Sequence, residues 1–158
     1  MAAALGLVLV AGGCRSDDEA VARWRGELSA VLAALALRPF GTQRVTPSEV
    51  RSKGGPPYLV ATGILDLPRE AALARVRAVL DAQGWVRDAD GPVRHFLGWE
   101  LRATKGTEVM LVSLGPGAID VPASPYRPLE GGSYVQIAVA GRDSTPAWSH
   151  VGPSRGGA

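Results

Sequence analysis

From Val93 to Ala103 the side chains alternate in character. The odd positions hold Val93, His95, Leu97, Trp99, Leu101 and Ala103, and the even ones Arg94, Phe96, Gly98, Glu100 and Arg102. A period of two belongs to an extended strand with one face on a core, because successive side chains leave the pleat on opposite sides. Lys105-Gly106 follows, and glycine accepts the positive φ of a tight hairpin turn. Thr107 to Leu114 is the expected return strand, with Ala103 opposite Glu108, Leu101 opposite Met110 and Trp99 opposite Val112. Val109 and Leu111 then fall on the other face beside Arg102 and Glu100. That face is therefore not fully polar, and partial cover over it is expected.

Two more segments read as strands. Tyr58 to Leu65 places Tyr58, Val60, Thr62 and Ile64 on one side and Leu59, Ala61 and Leu65 on the other, with Gly63 marking a bulge. Ser133 to Ala140 turns Val135, Ile137 and Val139 inward. Two helices are expected. Ser16-Asp17-Asp18-Glu19 has the form of a capping box. Val21, Trp24, Leu28, Val31, Leu32 and Leu35 follow at steps of three and four, a helical stripe that Pro39 ends. Asp66 is the expected cap of the second helix, with Pro68 in its first turn, Leu73, Val76, Val79 and Leu80 inside, and Gly84 at its stop. The order helix, strand, helix, hairpin and strand predicts an α+β fold: a two-layer sandwich of a mostly antiparallel sheet with two helices on one face.

The connections are read as loops. Phe40 to Pro57 is rich in Gly, Pro, Ser and Thr, and Arg44, Arg51 and Lys53 make it mildly basic. A solvated loop, not a phosphate site, is the expectation. Gly115 to Gly132 is long for a simple connection. From Gly141 onward a loose tail is expected.

Little in the chain speaks for chemistry. The formal net charge is +2, and no stretch concentrates it as a nucleic-acid surface would. Cys14 is the single cysteine, which excludes an internal disulfide and a cysteine-rich zinc site. The two histidines are His95, on the apolar side of the alternating run, and His150, in the tail. No HExxH, GxSxG, Walker or dinucleotide signature occurs. Asp88 and Asp90 lack the further oxygens of a calcium loop and read as a turn. No catalytic residue, metal ligand or cofactor is assigned.

The amino terminus carries an address. Met1 to Gly13 has no charged side chain, and Ala2 to Val10 has the length of a signal-peptide core but is too short to span a bilayer. Ala11-Gly12-Gly13-Cys14 follows, and then the polar run Arg15-Ser16-Asp17-Asp18-Glu19. The segment resembles the lipobox of bacterial lipoproteins, although Ala11 stands where leucine is commoner. Composition and element order are similar to small actinomycete-type lipoproteins of uncharacterised role. The resemblance implies a signal peptide over 1–13, a lipidated Cys14, a short tether over 14–19, one domain over 20–140 and a tail over 141–158. It also implies a place at the cell membrane, on its extracytoplasmic face, and a membrane partner through the lipid. Two or three acyl chains anchor stably where one does not.

The expected role is a binding or interaction module for an envelope protein or a small ligand. Tyr126 and Arg127 in the Pro-rich loop and Trp148 in the tail form the candidate contact patch, since aromatic side chains outside a core suit partner contact. Two alternatives stand beside it: an extracytoplasmic hydrolase with an unrecognised site, and a cytoplasmic protein with a mis-assigned start.

Overall fold

A computed structural model describes residues 13–40, 42, 44–51, 55–88, 93–95, 98–116 and 132–142, with the backbone alone at 13–16, 93–95 and 116. The chain runs α1 (Gly13–Leu35), β1 (Ser48–Val50), β2 (Tyr58–Leu65), α2 (Arg69–Ala82), β3 (Val86–Arg87), β4 (Val93–His95), β5 (Gly98–Lys105), β6 (Glu108–Pro116) and β7 (Ser133–Gly141). These strands form one antiparallel sheet in the order β1-β2-β7-β6-β5-β3, and β4 lies beside β5 on the β3 edge. Helix α1 packs on β2, β7 and α2, and α2 on β6 and β3. The result is the expected two-layer α+β sandwich.

The stripe of α1 is buried throughout: Val21, Trp24, Leu28, Val31, Leu32 and Leu35. Facing it are Leu59 and Ala61 of β2, Leu101 and Ala103 of β5, Met110, Val112 and Leu114 of β6, and Val135, Ile137 and Val139 of β7. Ala72, Leu73, Val76, Val79 and Leu80 of α2 close the same core with Trp85. Each large apolar side chain buried this way contributes about 1.5–3 kcal/mol of transfer free energy. The opposite sheet face is apolar at its centre, as the hairpin pattern implies. Val109, Leu111, Ala138 and Ala140 are all buried there.

Several ends differ from the sequence reading. Helix α1 already begins at Gly13, so the Ser16–Glu19 box lies within the helix. It stops at Leu35, short of Pro39. Ala36 adopts φ 54°, and Arg38 exchanges two 2.8 Å backbone hydrogen bonds with Ile64. The helix ends early because the chain must turn there to reach the edge of β2. Asp66 caps nothing. The N-cap of α2 is Pro68, without a side-chain bond, and Asp66 pairs with Arg38 at 2.7 Å instead. Gly84, at φ 78°, ends α2 as expected. Trp85 N–H donates to the Leu80 carbonyl and Gly84 N–H to that of Asp81, the double bond of a Schellman ending.

Gly63 marks no bulge, since β2 pairs with β7 without interruption through Gly63↔Val135. Its role is clearance: a Cβ there would stand 2.9 Å from the Leu37 Cβ and 3.0 Å from the Arg38 carbonyl. The alternating run is not one strand. It folds back between β4 and β5, with His95 opposite Gly98. Position 95 is therefore in register with the even positions of β5 and not with Trp99 and Leu101. In the β5–β6 hairpin Lys105 pairs with Glu108, Ala103 with Met110, Leu101 with Val112 and Trp99 with Leu114. The turn is Gly106-Thr107, and Gly106 supplies φ 59°. The register thus slides by two residues from expectation, and a slide of two leaves every side chain on its predicted face.

Candidate functional site

The outer edge of β2 is broken between two closures. Ile64 uses its N–H and C=O on Arg38. Peptide groups alternate sides along a strand, so those of Val60 and Thr62 point to the same outer edge. Val60 sits opposite Ser48 of β1. Thr62 lies between these two closures, and neither its N–H nor its C=O takes a backbone partner on that side among the described residues. Strand β1 could have continued to Thr46, opposite Thr62. It does not, because Thr46 N–H turns back to the Arg44 carbonyl at 3.0 Å.

A cleft of about 440 Å³ opens at this break, lined by Arg44, Thr46, Ser48, Val60, Ala61 and Thr62. Arg44 is exposed, and no described residue pairs with its guanidinium. Three hydroxyls surround the space. Thr62 is hydrogen-bonded to the Tyr134 phenol, and burial pushes that phenol above its ordinary pKa while the Thr62 bond opposes the rise. Phe40 meets the Tyr134 ring edge-on at 5.5 Å. This wall is therefore built from β2, β7 and the segment after α1.

The other wall, β1, is tied to α1 from outside. Arg25 donates to the Pro47 carbonyl at 3.1 Å and lies 3.9 Å from Glu49. Arg51 pairs with Glu49 and, at 3.5 Å, with Asp18. The carboxylates near β1 are thus committed to Arg25 and Arg51, and Arg44 is left facing the cleft. Arg44 can attract an anion, the hydroxyls can donate or accept, and the Thr62 peptide can do both.

A second hollow, about 390 Å³, lies where α1 meets the hairpin, among Arg23, Gly26, Glu27, Ala30, Gln83 and Lys105. Its polar side chains are cross-linked. Arg23 binds the buried Glu108, Lys105 binds Glu27 at 2.8 Å, and Gln83 donates to the Ala30 carbonyl at 2.9 Å. Lys105 also sits 5.8 Å from the centre of the buried Trp85 ring. These contacts brace the helix against the sheet.

The residues singled out from sequence are not brought together here. Cys14 lies in the first turn of α1, and its side chain is outside the described residues. Tyr126, Arg127 and Trp148 also lie outside them, as do His150, Asp90 and most of the 115–132 connection. Position 95 sits at the end of β4. Asp88 is not in a turn: its N–H donates to the Arg102 carbonyl at 3.0 Å, extending the β3–β5 pairing by one rung, and its carboxylate lies 3.8 Å from Arg102. Among the described residues no three His, Cys, Asp or Glu side chains are grouped to hold a metal, and no helix is long and apolar enough to cross a membrane. Arg44, Thr46 and Ser48 belong to the stretch that the sequence presents as a solvated loop. The one local signal was the mild basicity of that stretch.

The architecture defines the class as an α+β two-layer sandwich. Comparison with protein-family models, with curated proteins and with solved structures found no match for the chain.

Proposed function

We propose that this chain is a lipid-anchored binding module of the bacterial cell envelope, tethered through Cys14 on the extracytoplasmic face, and that the cleft beside β2 receives its ligand. The observation that carries the binding role is the interrupted sheet edge. Arg44 and the Thr62 peptide, both without a partner among the described residues, converge on one cleft, while the neighbouring charges are engaged with one another. Convergent polar groups around a concave space are the usual composition of a ligand site. The anchoring role is supported by the apolar run Leu7–Val10, the small residues before Cys14 and the polar run after it. Cys14 lies in the first turn of α1, and from Asp17 onward the first buried residue of that helix is Val21.

The anchor is tested by growing expressing bacteria with an alkyne-bearing fatty acid. The wild-type product should take up the label, lose its first residues and sediment with membranes. Cys14→Ser should be unlabelled and released from that fraction. An unlabelled wild-type product of unchanged length sinks the anchor.

A further inference from the structure

We infer that the cleft beside β2 holds the carboxyl-terminal residue of a peptide, and this rests on the reading of that cleft as the binding site. Thr62 offers outward one N–H and one C=O, the pair that an antiparallel neighbour exchanges. Val60 is already taken by Ser48, and Ile64 by Arg38. Among the described residues, an incoming chain therefore finds a single free rung. An internal peptide segment would have to leave the edge on both sides of Thr62, between closures about 13 Å apart. A chain end has to leave it once: its carboxylate points to the Val60 side, and its preceding residues turn outward before Arg38, which holds the Ile64 rung.

The chemistry of the rung also favours an end. The last amide N–H of the peptide donates to the Thr62 carbonyl, and one carboxylate oxygen accepts the Thr62 N–H. The second carboxylate oxygen faces Arg44, with the Thr46 and Ser48 hydroxyls lining the same space. A guanidinium and a main-chain N–H sharing one carboxylate give charge-assisted bonds, the stronger kind. Backbone groups beside a cation are a recurring way to capture a terminal carboxylate. The carboxylates that could compete from within, Glu49 and Asp18, are held by Arg25 and Arg51. Inorganic phosphate fits worse, because it has no amide to give the Thr62 carbonyl.

The test is a titration of the full chain, labelled with nitrogen-15, followed by the amide signals of Ser48 and Thr62. Four probes are compared: acetyl-Ala-Ala with a free carboxylate, its carboxamide, acetate, and inorganic phosphate. The free dipeptide should shift both signals saturably, and the carboxamide should bind about ten- to a hundred-fold more weakly. Arg44→Gln should erase that preference without changing Tm, since Arg44 is exposed and pairs with no described residue, and Arg44→Lys should restore part of it. Acetate or phosphate binding as well as the dipeptide would reduce the site to a simple anion hole and overturn the inference. Shifts from the carboxamide alone would also overturn it, yet leave the cleft as a binding site. A folded protein in which none of the four moves either signal would remove both readings.

Discussion

At the scale of single residues, two glycines decide where backbones can meet. At Gly63 the segment after α1 crosses β2 so closely that a methyl group would press on Leu37 and on the Arg38 carbonyl. Gly63→Ala should cost about 1–3 kcal/mol, the usual effect of overpacking, read from urea denaturation. Gly98 is the harder case. It holds φ 137°, and a Cβ there would sit 1.9 Å from the Leu114 carbonyl oxygen. The chain bends at Gly98 from β4 into β5, and no small shift relieves a backbone clash of that depth. Gly98→Ala should therefore destabilise more than Gly63→Ala under the same titration, and an equal or smaller loss would mean that β5 does not approach β6 as described. The Gly98 requirement was invisible in the pattern. Glycine there satisfied the polar phase of the alternation, so nothing marked the fold-back.

Among the elements, the long ones were legible and the short ones were not. Strands β2, β5, β6 and β7 each run for 8 or 9 residues, long enough for period two to stand out from chance. Both helices showed their stripes, because a buried face repeats over several turns. Strands β1, β3 and β4 have only 2 or 3 residues. They owe their extended form to the partner they pair with, and so carry no pattern of their own. Helix ends failed for a related reason. Tertiary demands, the bridge from Arg38 to Ile64 and the ion pair of Arg38 with Asp66, overrode the local capping signals. The cleft was illegible on the same ground, since it exists only where β1 stops short of Thr62. The stripe of α1 makes a firm prediction. Leu28 is fully buried against the sheet, and Leu28→Ala should cost about 2–5 kcal/mol in chemical denaturation. A loss under 1 kcal/mol would mean that α1 is not docked on this core.

For the whole molecule, exposed ion pairs tie the layers across chain crossings and respond to acid. Hydrogen bonds from Arg38 hold the Asp66 carboxyl below its ordinary pKa, and Arg87 does the same to Asp81. The folded state therefore binds fewer protons at these sites than the unfolded chain does. Their contribution is complete above the ordinary carboxylate value of about 3.9 and fades as pH falls through the lower folded values. Tm should drop over that acid range, and the double variant Asp66→Asn with Asp81→Asn should lower Tm at pH 6 and flatten the fall. A double variant with an unchanged acid slope would show that these pairs do not act as described. The outer borders of the sheet have a different consequence. One is closed by β1 and Arg38, the other by β3 and β4, each a fragment of 3 residues or fewer. Long bare borders invite sheets of separate molecules to zip together into fibrils. Here a neighbouring molecule would meet stubs and corners, so the frayed hems that leave room for a guest also discourage copies of this protein from stitching themselves to one another.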